Sequence, residues 1–480
     1  MVYLAAVHPL RPLGLLVALV CTVGLLAPVP APAVGSVLDP TPGAPGIGDS
    51  YFPLDGNGGI DVLHYDVRVA YDLASGRLQG STRVTLRATR DLSGFNLDLL
   101  LPVQSVQVDD VPAAFRKPDQ HELQITPAAP LRQGETVAVT VAYDGLPAPI
   151  TYAGEQNWLA DDHEVVAMNQ PHMAPWWFPA NDHPRDRARF DVHVTVPTDL
   201  DVVGNGTLVG RTVDGALATT HWRSEEPMAT YLAFFAAGRF RTASGVRKGL
   251  PWYVAVSERL PPAQQYRAMQ LMRRTPAITS WLERRLGRYP FSSTGGLTTS
   301  MPVGFALENQ TRPTYPVMDH NATRTVVHEI AHQWFGDSVT VRGWRDIWLN
   351  EGPATYFEVL WTARHGGPSG REWLAQAYRD LAPNEYFWRI RVDDPGPGHL
   401  FDVPVYQRGA MALQALRSRI GRRDFDRLLR TWVRSHRGRT GTTRQFVALA
   451  ERVSGEDLGR FFQAWLRAPR PPAPTAANGL

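Results

Sequence analysis

The chain has 480 residues, 44% of them apolar and 20% charged, with a formal net charge of +3. These proportions describe a large soluble protein of roughly two to three domains and exclude an intrinsically disordered chain, which would be poorer in apolar residues and richer in one sign of charge. Nucleic-acid binding is not expected: of the 49 basic residues only Lys117 and Lys248 are lysine, no run of five or six like charges occurs, and a diffuse arginine excess reads as the bias of a GC-rich genome.

Residues 1–33 read as a signal peptide. Arg11 supplies a positive charge, residues 13–26 form an apolar stretch, and Ala31-Pro32-Ala33 is a small-residue cleavage site, so the mature chain is expected to start near Val34 and to be secreted. A membrane anchor would need about 20 apolar residues, whereas Pro28, Pro30 and Pro32 close this stretch after about 14; no stable membrane insertion is expected once the signal is removed. Cys21, the only cysteine, lies inside the apolar stretch. Disulfides, cysteine-ligated zinc and a cysteine nucleophile are thereby excluded from the mature chain.

A flexible lead-in is expected over 34–49. Apolar and polar residues then alternate over 60–69, 82–87, 136–143, 190–196 and 230–235, the period of half-buried strands, which gives an all-β domain over 50–243. From Pro262 the spacing becomes helical, over 264–286, over 321–335 and from Gln407 onward, so 244–470 reads as a mostly helical domain. The Pro- and Ala-rich residues 471–480 read as a frayed tail.

His328-Glu329-Ile330-Ala331-His332 decides the function class. On a helix, residues i and i+4 share a face, so both imidazoles can address one ion, with Glu329 beside it. With 14 histidines in 480 residues, such a motif arises by accident in roughly one chain in seventy. Glu351, in an apolar stretch after 18 intervening residues, would bring a carboxylate from a second helix. Two His and one Glu leave a fourth position of a tetrahedral zinc open to water, which is the catalytic arrangement. The competing reading, two helix-face histidines and a surface acid, is outweighed by the spacing. Pro353 should place Glu351 in the first turn of its helix, and Gly336 should end the metal helix.

With the flanking Gln333-Trp334-Phe335-Gly336-Asp337 and Trp348-Leu349-Asn350-Glu351-Gly352, this segment closely resembles the M1 family of zinc aminopeptidases, in the gluzincin clan, in a short, secreted bacterial form. Gly304-Phe305-Ala306-Leu307-Glu308-Asn309 resembles the family's Gly-Ala-Met-Glu-Asn exopeptidase motif. Glu308 then falls at the acid that holds the substrate's free amino group, and Ala306 on the substrate-binding segment. Tyr406-Gln407-Arg408-Gly409 resembles Tyr-x-Lys-Gly, whose tyrosine assists the transition state. Phe178-Pro179-Ala180-Asn181-Asp182-His183-Pro184 resembles a segment ending Phe-Pro-Cys-x-Asp-Glu-Pro, and ungapped counting from it puts Gln170 at the Glu or Gln lining the first substrate pocket. Phe305 stands where the family has a glycine, Leu307 where it has Met, and Arg408 keeps the charge of its Lys. The similarity spans roughly residues 50–470, and a chain of this length implies a short form with a more open cleft.

The resemblance implies an α+β multidomain fold, with an N-terminal all-β, saddle-like domain ahead of a mostly helical, thermolysin-like zinc peptidase domain. It implies one zinc ion per chain held by His328, His332 and Glu351, with Glu329 as proton acceptor and donor and Tyr406 hydrogen-bonding the developing oxyanion. Glu308, with Gln170 as an auxiliary acceptor, would pair with the α-ammonium of peptides with a free N-terminus, and the enzyme would act as a monomer. Asp337, Asn350 and Glu358 are candidates to receive the second N–H of the metal-bound imidazoles. Trp176, Trp177, Trp334 and Trp344 are read as core rather than pocket. Asn205, Asn309 and Asn321 match the glycan acceptor pattern, and a glycan on Asn309 would crowd the amine site, which favours an unglycosylated bacterial setting. Two alternatives stand beside this reading: a zinc endopeptidase of the same clan, which needs no amine anchor, and a non-catalytic peptide-binding protein on the same fold.

Overall fold

Period-two patterning builds the N-terminal half. In strand Ile60–Asp72, Val62, Tyr65, Val67, Val69 and Tyr71 are buried, and a bulge between Val62 and His64 shifts the phase so that Tyr65 faces inward. The computed structural model describes residues 39–318 and 322–480; the expected signal peptide and the acceptor Asn321 lie outside the described residues. Strand Ile60–Asp72 is central to an eight-stranded sheet that runs, edge to edge, through Thr207–Asp214, Leu217–Ala229, Arg187–Pro197, Ile60–Asp72, Arg77–Ala88, Thr136–Gly145, Val103–Val108 and Val111–Pro112. Its pairings are antiparallel except that between Arg187–Pro197 and Ile60–Asp72.

Two smaller four-stranded sheets complete this half. One joins Thr41–Pro42, Leu92–Asp98, Glu122–Thr126 and Ala114–Arg116; the other joins Leu159–Ala160, Val165–Ala167, Phe235–Gly238 and Asp201–Gly204. The expected strand over 230–235 is corrected. Thr230–Leu232 is a tight 3-10 turn and only Phe235 enters a strand, while all six side chains are buried. A segment enclosed on every side carries no alternation for periodicity to detect.

A further sheet, Phe240–Arg247, Leu250–Ser257, Thr294–Thr298 and Thr314–Tyr315, opens the C-terminal half. Its first strand runs through the expected boundary at 243/244. The helices follow: α1 Pro262–Met272, α2 Thr275–Leu286, α3 Thr323–His332, α4 Trp348–Arg364, α5 Gly370–Leu381, α6 Glu385–Arg389, α7 Val403–Ser435, α8 Thr443–Ser454 and α9 Gly459–Phe462. The single helical stretch expected over 264–286 divides into α1 and α2 because Pro276 lacks the amide that a continuous helix would direct to Met272. Within α7, Gly421 at φ +80° breaks the helical path.

Both expected loose ends are tied into the fold. Thr41–Pro42 pairs with Leu92–Asp98, Gly43 N donates to Gly94 O at 2.8 Å, and the buried Asp49 carboxylate accepts from Tyr51 N at 2.8 Å and Trp344 N at 3.1 Å. From Pro40 onward the lead-in is therefore a fixed part of the structure rather than a flexible one. The tail is likewise docked: Trp465 Nε1 donates to Asn478 O at 2.9 Å, Tyr378 Oη to Pro472 O at 2.6 Å and Arg419 Nη1 to Ala477 O at 2.9 Å. Satisfying these backbone acceptors is what holds a sequence with no apolar periodicity in place.

One packing conflict has a measurable consequence. Asp98 and Glu122 are cross-strand partners, 1% and 2% exposed, and neither oxygen of Glu122 has a hydrogen-bond partner among the described residues. Burial, with the Asp119 carboxylate adding to it, pushes Glu122 up to about 8, and burial with Glu122 beside it pushes Asp98 well above the carboxylate range. A carboxyl raised on folding stabilises fully below its unfolded pKa and loses that contribution as pH rises through the folded one. Glu122→Gln is expected to raise stability by about 2–4 kcal/mol at pH 9 and to change it little at pH 5. Denaturant unfolding at the two pH values checks this, and an equal effect at both would refute it.

Candidate active site

Helix α3 buries Val326, Val327, Ile330 and Ala331, and the same turns carry His328, Glu329 and His332 into the interior at 9%, 5% and 1% exposure. Its end lies before Gly336: the last helical residue is His332, and Gly336 then takes φ +126° as the chain turns toward Val339. Helix α4 packs against α3 and presents Glu351, whose Oε2 lies 3.3 Å from His328 Nε2 and 3.4 Å from His332 Nε2. Glu351 stands in the first turn of α4, as expected. Pro353, two residues on, is the sixth helical residue and lies beyond that turn, where it cannot supply the amide due to the Leu349 carbonyl.

The outward nitrogens of both imidazoles are engaged. His328 Nδ1 donates to Glu358 Oε1 at 2.7 Å, and His332 Nδ1 donates to the Phe335 carbonyl at 3.0 Å. Each ring therefore keeps its Nδ1 proton and turns Nε2 toward Glu351. The two Nε2 atoms and the Glu351 oxygen lie within 4.8 Å of one another, a donor set that fits three-ligand zinc with an open position. Of the three candidate partners only Glu358 receives an imidazole; its other oxygen faces Arg324 at 3.4 Å. Asp337 and Asn350 are buried and make no direct hydrogen bond through their side chains among the described residues.

Glu329 and Glu308 stand beside His332, with one ligand atom of each of the three within 4.8 Å of the others. Burial pushes Glu329 up to about 7, the two imidazoles restraining the rise. Glu308 is 3% exposed, and burial raises it as well. Its Oε1 accepts from Gln170 Nε2 at 3.0 Å and Tyr231 Oη at 3.2 Å, while no donor among the described residues engages Oε2. Gln170 thus spends its amide on Glu308. Tyr406 stands in the first turn of α7, its ring stacked on that of His328 at 6.0 Å and 23°. Burial and the nearby Glu351, Glu308 and Glu329 carboxylates hold its phenol well above its ordinary pKa, so it remains a donor. Ala306 is half-buried just ahead of Leu307, which pairs with Thr314, and Phe305 projects outward at 43% exposure.

Two contributors carry no signal in the sequence. Tyr231 lies in the enclosed 230–235 turn and is packed edge-on by Trp344 at 5.4 Å. Gln333, directly after the metal helix, donates to the Glu308 carbonyl at 3.1 Å and accepts from Thr311 N at 2.7 Å and Tyr289 Oη at 3.1 Å. These bonds lock the 308–311 turn onto the end of α3 and help to hold Thr311 at φ +70°, which a β-branched residue rarely adopts. Arg408, expected to keep a family charge near Tyr406, is fully buried and donates to the carbonyls of Trp388, Ile390, Trp465 and Ala468, so it anchors α7. The four tryptophans are core, each at 2% exposure or less. Asn205 and Asn309 are buried and hydrogen-bonded to the Leu232 carbonyl, where no glycan can reach them.

Residues 294–465 match the Peptidase family M1 domain and residues 62–232 the Peptidase M1 N-terminal domain. The chain belongs to peptidase family M1. Among solved structures, a Glu-to-Ala variant of an M1 zinc metallopeptidase from Deinococcus radiodurans bound to a Tyr-Ser-Ala substrate superposes with a TM-score of 0.79 at 28% identity, covering 90% of this chain and 100% of that one. Among curated relatives, Aminopeptidase M1 of Arabidopsis thaliana is 24% identical over 78% of this chain and 46% of its own, and glutamyl aminopeptidase of Rattus norvegicus is 22% identical over 81% and 45%. The chain spans about half the length of the curated relatives it matches. The β-rich N-terminal part followed by a helical part, as expected, is the arrangement of two-domain M1 metallopeptidases.

Without metal, burial presses the His332 pKa down, but Glu351 and Glu308 outweigh it and hold it at about 9, while Glu351 is kept down at about 2. At pH 7 a proton occupies the nitrogen that zinc would take, so zinc binding is expected to release about one proton or more per chain. Calorimetry in buffers of different ionisation enthalpy measures this, and a buffer-independent heat would mean that both imidazoles are already neutral. Glu358→Gln is expected to weaken zinc binding by about 10- to 100-fold in a chelator competition.

Proposed function

We propose that the protein is a zinc aminopeptidase, acting as an exported monomer of bacterial origin with one zinc ion per chain, which removes N-terminal residues from peptides. The observation that carries this reading is Glu308: a buried carboxylate held by Gln170 and Tyr231, with no donor to Oε2 among the described residues, beside Glu329 and His332. That oxygen suits a charge-assisted hydrogen bond with a substrate α-ammonium, which would set the first peptide bond beside Glu329. His328, His332 and Glu351 would hold the zinc, which when bound acidifies water and polarises the scissile carbonyl. Glu329, poised near neutrality, takes a proton from the attacking water and returns it to the leaving amine. Tyr406 donates to the carbonyl oxygen as negative charge develops there.

Export rests on the apolar stretch and cleavage pattern of residues 1–33, and no helix among the described residues is long and apolar enough to cross a membrane. The monomer rests on the site, to which one chain supplies every named residue. Matched peptides with free and acetylated N-termini test the activity. Turnover is expected only with the free amine, Glu329→Gln should lower kcat by about 100- to 10,000-fold, and Glu308→Ala should act mainly on KM. Equal cleavage of both peptides would favour the endopeptidase, and zinc-loaded protein that turns over neither would favour the binding protein.

A further inference from the structure

The arginine excess is not diffuse. Six guanidiniums, of Arg284, Arg285, Arg364, Arg417, Arg422 and Arg430, line one cavity of about 490 Å3 where α2, α4 and α7 meet. Asp426 is the only carboxylate on its wall among the described residues, so that lining carries +5 where the whole chain carries +3. Asp426 pairs with Arg422 at 3.6 Å, and the other five have no carboxylate within 4.0 Å among the described residues. Elsewhere in the fold arginines such as Arg77, Arg223 and Arg467 are paired with acids.

Helix geometry explains part of this crowding. Arg284, Arg285 and Arg364 stand in the last turns of α2 and α4, where a cation complements the helix dipole. Carbonyls also hold three of the heads: Arg284 bonds Ser280 O, Arg285 bonds Trp281 O while lying 4.0 Å over that indole, and Arg430 bonds the carbonyls of Arg285 and Arg284. Carbonyls fix the position of a guanidinium without cancelling its charge. Neither effect requires Arg417 and Arg422, which α7 adds from either side of its break at Gly421. Burial and the neighbouring positive charges of Arg284 and Arg364 draw the Arg285 pKa down, and Asp426 offsets them only in part.

We infer that this cavity is a binding site for a compact polyanion carrying several phosphoryl groups. Guanidinium forks match phosphate oxygens in bidentate geometry, and each phosphoryl group brings about −1.5 to −2 charges at pH 7, so two or three would balance the lining within this volume. The site is separate from the zinc centre: Arg364 lies 13 residues along α4 from Glu351, roughly 20 Å at helical rise. A phosphoinositide headgroup and a soluble polyphosphate offer the same chemistry.

The zinc-loaded full chain should bind tripolyphosphate with one site per chain in calorimetry at low salt, the affinity falling as salt rises. The double variant Arg364→Glu/Arg422→Glu should lose about 100-fold or more, while Arg267→Glu, on exposed α1, should bind as the parent does. Circular dichroism and peptide turnover of each variant show that it has folded. Vesicles containing phosphatidylinositol bisphosphate form the second arm; capture on them that tripolyphosphate competes away assigns the lipid source, and binding of the soluble anion alone assigns the free one. Absence of saturable binding in both arms, or equal affinity in the folded double variant and the parent, overturns the site.

Discussion

Three carboxylates, Glu308, Glu329 and Glu351, share one buried space with two imidazoles and, among the described residues, no arginine or lysine contact. Such a concentration of negative charge is stable only if cations or protons offset it. Two cations suit the proposed function, a divalent metal between His328, His332 and Glu351 and an ammonium at Glu308. Glu329 stands beside Glu308 and His332 with a pKa lifted to about 7, where a carboxyl group can both take and return a proton. On the proposed function, binding and catalysis would draw on the same electrostatic imbalance, which the burial of these groups preserves.

Keeping it requires both halves of the chain. Gln170 and Tyr231 come from the β-rich half, Glu308 from a turn after the third strand of the catalytic sheet, and the metal residues from α3 and α4. Buried Arg312 crosses between the halves, bonding the carbonyls of Gly204, Gly206 and Tyr253, while Gln333 ties the same turn to the metal helix. Glu308 is therefore positioned against His328, His332 and Glu351 by a few buried polar contacts, where each is stronger than in water.

The meeting of His328 and His332 was legible in the sequence because a helix converts an i, i+4 spacing into a shared face, and that of Glu351 because an apolar helix had to follow. Strands with one wet face were legible for the analogous reason. Tyr231 and Gln333 were not, since each acts through a tertiary partner more than 20 residues away and neither belongs to a local pattern. The lead-in and tail misled in the opposite sense, because Pro, Gly and Ala give no periodicity even where their backbone groups are fully engaged. The Pro353 pattern placed Glu351 correctly in the first turn of α4, although the helix tolerates the proline itself beyond that turn, inside a closely packed helix pair.

Asp49 bears on the order of synthesis. Its carboxylate accepts from Trp344, the indole of Trp344 packs on Tyr231, and Tyr231 donates to Glu308, so a relay of contacts joins the N-terminal end of the described residues to Glu308. The sequence separation between Asp49 and Trp344 is 295 residues. During translation the N-terminal segment must wait, unsatisfied, until most of the catalytic half has been made. A closure this distant is entropically slow, and it leaves the pocket incomplete in every shorter nascent chain. On the proposed function, a nascent chain that lacks this closure would not yet have Glu308 fixed in its place.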